Sequence, residues 1–236
     1  MTLTSSQILS NSFVVTIDEN RYNAFVSEFE AAKIPILPKK FIGYEIEDSY
    51  FISAFKIVSD LQYSEKRGIL EYNLRKFHAL CNNASHFAIV QHAMLLDLPF
   101  VTIFEDDAVP EENCLEKLDL YCSNVPDDTD VLRLGWFLLS RERMNRTPLP
   151  EPVFDHFIVK RFPGSHAYIV FKKFYKRFLE SNKHQPRCDF DKINPSPDKT
   201  VYALKEPLFV QQNILNAPVM HAYRMKDRVV KLPPVH

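Results

Sequence analysis

Phe100-Val101-Thr102-Ile103-Phe104-Glu105-Asp106-Asp107 runs from an apolar, β-branched and aromatic segment straight into three acids. A continuous apolar run this short, with Leu98-Pro99 before it and Pro110 after it, reads as a buried central strand. Ahead of it, residues 85–96 carry a helical pattern that stops where Pro99 disfavours helical backbone. A helix feeding a buried strand is the unit of an α/β sheet, and ligands of open α/β sheets sit beyond the carboxyl ends of the strands. The three acids fall there. Adjacent carboxylates at the edge of a core need a cation or a hydroxyl-rich ligand to offset desolvation and mutual repulsion. A hard divalent ion, Mg2+ or Mn2+, would meet that need and bridge carboxylate to diphosphate. The alternative is an ordinary solvated acidic loop, against which the strand, helix and proline around the triplet weigh.

Outward from this segment the pattern stays mixed. Phe13–Ile17 is a short strand, followed by a loop at Asp18-Glu19-Asn20-Arg21 and a helix marked by Tyr22, Phe25, Val26 and Phe29. Pro35 and Pro38 flank an extended piece, and Phe51, Ala54, Phe55 and Val58 share one face of a possible helix over residues 49–60. Further strands are expected at Val131–Leu134, Phe157–Phe162 and Ala167–Phe171, with helices at Glu112–Cys122 and Lys172–Ser181. No internal repeat or low-complexity tract interrupts the chain, so residues 1–236 are expected to form one α/β domain.

Composition narrows the function classes. With 46% hydrophobic and 25% charged residues, 236 residues can bury a full core. Four glycines against sixteen prolines leave no Rossmann or Walker glycine loop, so any phosphate has to be met by other groups. Cys81, Cys114, Cys122 and Cys188 lack the spacing of a zinc site or disulfide framework and read as reduced thiols. No apolar run reaches the roughly 18 residues of a membrane span, and the first ten residues lack a signal-peptide pattern, so the expectation is a cytoplasmic protein. Asn83-Ala84-Ser85 and Asn145-Arg146-Thr147 then match a glycosylation triplet by chance. Near-neutral charge and core-like aromatics argue against nucleic acid as a partner.

Charge is unevenly spread. Residues 1–155 carry 14 basic and 24 acidic side chains, whereas residues 156–236 carry 15 and 6. The C-terminal third therefore suits an anionic neighbour such as a phospholipid surface, a lipid-linked acceptor or a donor diphosphate, unless it simply folds against the acidic part. On the helix after residue 171, Lys172, Lys173, Lys176 and Arg177 oppose Phe171, Phe174, Tyr175 and Phe178. That is a core-packed helix with a basic face, solvated or docked loosely on the inner face of the cell membrane.

Several features in order resemble glycosyltransferase family 25, the bacterial lipopolysaccharide and lipooligosaccharide transferases related to collagen galactosyltransferases. They are Phe13–Ile17 followed by Arg21, the Ser85-His86 pair opening a helix, Phe104–Ala108, Gly164-Ser165-His166-Ala167-Tyr168, Cys188-Asp189-Phe190-Asp191, and Glu206-Pro207-Leu208-Phe209-Val210-Gln211. Asn82-Asn83 departs from the glycine-containing approach to Ser-His common in that family. The resemblance implies a glycosyltransferase A-type, Rossmann-like mixed sheet flanked by helices. It also implies a nucleotide-sugar donor, commonly UDP-galactose, a manganese or magnesium ion, and transfer with inversion to a hydroxyl of a surface glycan.

On that resemblance Asp107 is the metal ligand, while Asp106 and Glu105 reach the ribose or sugar; a structural acid at the strand end is the other reading of Glu105. An inverting transfer needs a base on the acceptor hydroxyl, and Asp189 is the first candidate with Asp191 its rival; either could be a surface acid. Two residues apart on extended chain, both could face the same way. Arg21 is assigned to the donor phosphate or base, with an ordinary helix-start residue as the alternative. Ser85 as an N-cap and His86 behind it are placed near the nucleotide, or His86 supports the acidic loop by a hydrogen bond. His166, next to Gly164, is a donor or acceptor contact or a structural histidine, and His221 could complete the metal shell or be incidental. Two other functions remain open: a metal-dependent phosphohydrolase or nucleotidyltransferase, and a non-catalytic glycan-binding relative.

Overall fold

The computed structural model describes residues 1–44, 70–136, 152–153, 156–158, 164–180, 199–204 and 206–212. In chain order these form α1 (Ser5–Ser10), β1 (Ser12–Thr16), α2 (Glu19–Ala31), β2 (Lys39–Ile42), α3 (Leu70–Leu95), β3 (Phe100–Glu105), β4 (Ala108–Pro110), α4 (Cys114–Cys122), β5 (Val131–Arg133), β6 (Pro152–Val153), β7 (His156–Ile158), β8 (Ala167–Phe171), a 3-10 turn (Lys172–Phe174), α5 (Tyr175–Glu180), β9 (Val201–Leu204) and β10 (Phe209–Gln211). Eight strands make one mixed sheet in the order β2-β1-β3-β8-β5-β9-β7-β6, and β4 pairs with β10 in a separate ribbon. The α/β expectation holds at this level. Among the described residues no helix is long and apolar enough to cross a membrane.

Parity along β3 divides the core. Phe100 and Phe104 join a cluster with Leu3, Ile8, Phe25, Phe29 and Leu118, which lies on the α1, α2 and α4 side. Val101 and Ile103 join Phe87, Ile89, Val90, Phe174 and Phe178, on the α3 and α5 side. Alternate residues of a strand point to opposite faces, so a strand buried at every position from Phe100 to Phe104 is covered by helices on both. Each cluster buries large side chains away from water, the main favourable term in folding. α3 stops at Leu95, Asp97 takes a left-handed φ of 55°, and the Leu98 amide bonds back to Ala93 O at 3.0 Å before the chain enters β3.

Strand directions bring the site together. β1 and β3 are parallel, with Val14 opposite Phe104 and Val15 opposite Glu105. β8 is antiparallel to β3, with Phe104 opposite Ala167, and antiparallel to β5, with Tyr168 opposite Arg133. One sheet edge therefore collects the end of β1, the acids after β3, the Gly164-Ser165-His166 entry to β8 and the exit from β5.

Most of the expected elements recur with shifted ends. The strand expected at Phe13–Ile17 is Ser12–Thr16, and the C-terminal helix begins as a 3-10 turn. One expectation is corrected: Ser85-His86 does not open a helix but lies well inside α3, so Ser85 is no N-cap. Its hydroxyl instead donates to Cys81 O at 2.8 Å, the local bond an interior helical serine makes to the preceding turn. The helix expected over residues 49–60 lies outside the described residues. Cys81, Cys114 and Cys122 are buried, and burial pushes the Cys114 and Cys122 thiols up to about 12.

Candidate functional site

The three acids leave β3 in different directions because the strand alternation continues into them. Glu105 keeps the parity of Val101 and Ile103 and so faces α3. Its Oε1 accepts from Asn82 Nδ2 at 3.0 Å and Ser165 Oγ at 2.6 Å, with His86 Nε2 at 3.4 Å. His86 is fully buried, stacks on Tyr168 with an interplanar angle of 15°, and shares a 2.7 Å hydrogen bond between Nδ1 and the Tyr168 hydroxyl. His86 thus stands between the Glu105 carboxylate and the Tyr168 ring.

Asp106 turns toward α2. Asp18 caps that helix, accepting from the amides of Asn20 at 2.7 Å and Arg21 at 3.2 Å, and thereby fixes Arg21 in the first turn. The Arg21 guanidinium donates to Asp106 Oδ1. Burial still raises the Asp106 carboxyl above the usual range, against the lowering effects of Arg21 and a hydrogen bond from Thr16. Arg21 itself is part exposed, and its Nε is buried without a hydrogen-bond partner among the described residues.

Asp107 is held differently. Its Oδ2 accepts from Gln211 Nε2 at 2.7 Å, while Oδ1 is buried with no hydrogen-bond partner among the described residues. Burial first, then the negative charge of Glu105, pushes this carboxyl up to about 7. A buried carboxylate oxygen without a donor is costly, so a cation at Oδ1 fits the chemistry of the position. Among the described residues no three His, Cys, Asp or Glu side chains converge on one point. A Mg2+ or Mn2+ ion at Asp107 would draw its other ligands from water and phosphate oxygens, as those ions commonly do.

Near the end of β5 and the start of β8 lie His166, which the sequence singled out, and Arg133 and Gly135, which it did not. Arg133, on β5, is fully buried and donates to Gly164 O, with its pKa brought down to about 9 by burial. His166 is 1% exposed, and its Nε2 donates to Phe209 O at 2.9 Å. Burial lowers its pKa, favouring the neutral ring. Gly135 is the reason that bond can form: a Cβ there would lie 2.3 Å from His166 Nε2 and 2.8 Å from Phe209 O. The signal for Arg133 was a charge inside an apolar strand. Gly135 had none, because its partners lie far away in sequence, and Gln211 stood only as the last residue of the Glu206–Gln211 stretch that carries part of the resemblance.

Of the remaining candidates, Ser85 lines the approach from β2, accepting from the Tyr44 amide at 2.9 Å. Asp189, Asp191 and His221 lie outside the described residues. On the basic segment after β8, Lys172 pairs with Asp97 at 2.7 Å, Arg177 with Asp130 at 3.4 Å, and Lys173 donates to Asp127 O at 2.6 Å. Phe174, Tyr175 and Phe178 are buried beneath them, as the helical pattern required. Neither protein-family models nor curated proteins yield a match to this chain.

Proposed function

We propose that this chain is an inverting glycosyltransferase of the A-type fold, moving a sugar, galactose foremost, from a UDP-sugar to a hydroxyl of a surface glycan such as lipopolysaccharide. The observation that carries the reading is the buried Oδ1 of Asp107 beyond the carboxyl end of β3, without a hydrogen-bond partner among the described residues, with Arg21 on the neighbouring helix start. An acceptor-only oxygen and a guanidinium at one sheet edge are complementary to a cation and an anionic donor.

In this reading Asp107 holds a Mn2+ or Mg2+ ion, which when bound supplies positive charge to the departing diphosphate. Arg21 has donors for the same diphosphate, and its pairing with Asp106 restrains it beside the crevice. Ile17 and Ile42, 46% and 65% exposed at the ends of β1 and β2, offer apolar surface to a nucleobase. Glu105, braced by Asn82, Ser165 and His86, fixes the height of the acidic loop and reaches the donor's sugar side. Asp189 or Asp191 takes the proton of the acceptor hydroxyl as its oxygen bonds to the anomeric carbon and the bond to diphosphate breaks. Attack opposite the leaving group inverts the centre. The enzyme would work in the cytoplasm, with the basic segment around Lys176 in peripheral contact with the inner membrane face.

Calorimetric titration of UDP-galactose and other nucleotide-sugars, with and without Mn2+, tests the proposal on wild type and Asp107→Ala. Metal-dependent binding of one donor, lost in the variant, is expected. A folded protein that binds no donor across the panel would overturn the proposal.

A further inference from the structure

Asp107 is gripped from a strand that lies 104 residues away in sequence. Gln211 is the last residue of β10, paired antiparallel with β4 so that Gln211 is opposite Ala108, next to Asp107 itself. Its amide donates to Asp107 Oδ2 at 2.7 Å, and the following Gln212 amide donates to the Asp107 carbonyl at 2.6 Å. β10 has little freedom to move. His166 bonds Phe209 O at 2.9 Å, the Leu208 amide bonds Leu134 O at 2.9 Å, Glu111 N bonds Leu208 O at 2.9 Å, and Gly135 forms a bridge to Phe209.

One oxygen of Asp107 is thus committed to an amide while the other is buried without a hydrogen-bond partner among the described residues. Had both oxygens been open, the carboxylate could rotate and bind a cation with either or both. Gln211 removes that freedom: it locks the rotamer and leaves Oδ1 as the single presented donor atom. A neutral amide does this without adding a charge that would compete for the ion. Hydrogen-bond partners of this kind orient metal-binding carboxylates and tune their affinity.

We propose that Gln211 is a positioning residue that makes Asp107 a one-oxygen ligand for a divalent cation, with the ribbon of β4 and β10 as its rigid mount. The inference rests on the reading of Asp107 given above. Within it, Gly135 and His166 act at one further remove, by fixing the strand that carries Gln211.

Binding of Mn2+ alone, followed by its enhancement of water proton relaxation, separates the possibilities because it needs no donor sugar and no turnover. Wild type, Asp107→Asn, Gln211→Leu and the smaller Gln211→Ala are compared, each checked for native circular dichroism and melting. The inference expects both Gln211 variants to weaken Mn2+ binding by about 10-fold or more, with Asp107→Asn abolishing it. A folded Gln211 variant binding Mn2+ like wild type overturns the positioning role while leaving the cation site standing. Wild-type Mn2+ affinity in Asp107→Asn, or no Mn2+ binding by wild type, removes the cation site and this inference with it. Gln211 is only part buried, so at least one of its two truncations is expected to fold.

Discussion

Arg21, in the first turn of α2, donates to a carboxylate 85 residues on, that of the nearly buried Asp106. The pair ties the helix after β1 to the acidic loop after β3, two elements whose strands already run side by side. Removing the guanidinium takes from Asp106 the positive charge that lowers its pKa against Glu105 among the described residues.

Arg21→Ala is accordingly expected to destabilise the fold by about 1–3 kcal/mol, less than for a fully buried pair because Arg21 is 39% exposed. The loss carries a pH signature. Without Arg21 the Asp106 carboxyl rises further above its ordinary value of 3.8, so its charged form becomes harder to keep folded, and the destabilisation is larger at pH 8 than at pH 4. Urea denaturation at the two pH values checks this, and an equal loss at both would show that Asp106 does not feel Arg21.

How far the sequence discloses this site depends on the range of each interaction. The Phe100–Phe104 strand and the acids after it were legible because burial and alternation are local properties, and the same locality exposed the helix from Glu19 to Ala31. Ser85 was misplaced as a helix start because a serine that bonds Cys81 O one turn back looks, in sequence, like one that caps. His166 was noticed for its glycine neighbour, yet what the ring meets is Phe209 O, 43 residues away. Gly135, Gln211 and β10 owe their importance to pairings across the fold, which no spacing rule encodes. Arg133 was passed over inside an apolar run, although a charge there demands a buried partner such as Gly164 O.

His86→Phe keeps a flat ring against Tyr168 but removes both ring nitrogens from the Glu105 and Tyr168 side chains. Weakening the partners of buried polar groups costs about 1–3 kcal/mol, and the variant is expected to lower the urea midpoint accordingly. The expected companion effect is a looser acidic loop, visible as faster amide exchange at Glu105 and Asp106, whose amides bond His166 O at 2.9 Å and Val15 O at 3.1 Å. Unchanged exchange at these two amides would count against the bracing role of His86.

Gly135→Ala tests the mount of β10. A Cβ at 2.3 Å from His166 Nε2 cannot be accommodated unless the imidazole swings away from Phe209 O, and the nearby backbone oxygen at 2.8 Å blocks the simplest alternative. Overpacking in a fixed interior of this kind costs about 1–3 kcal/mol. Thermal denaturation is expected to show that loss, with amide exchange increasing first in β10 and β4. A variant as stable as wild type would mean that the strand is free to shift.

Asp107 sets the last expectation, because its carboxyl titrates at about 7 in the folded protein against an ordinary value of 3.8. Between those values the native state keeps a proton that the unfolded chain has released. Stability from this group is therefore fully present below about pH 4 and declines as pH rises through 7. Asp107→Asn holds a hydrogen-bonding neutral group there at every pH, so its stability should fall less steeply. The difference between the two pH profiles amounts to something on the order of 2–4 kcal/mol between pH 4 and pH 8. By pH 8 the asparagine variant should be the more stable of the two in the absence of metal, since it no longer buries a negative charge that burial and Glu105 disfavour. Excess Mn2+ should reverse the order at pH 8, raising the wild-type melting temperature more there than at pH 6, because the ion competes with the proton for the same carboxylate. Urea and thermal denaturation across this range, with and without Mn2+, measure both effects; parallel profiles for wild type and Asp107→Asn would mean that burial and Glu105 do not raise the Asp107 carboxyl.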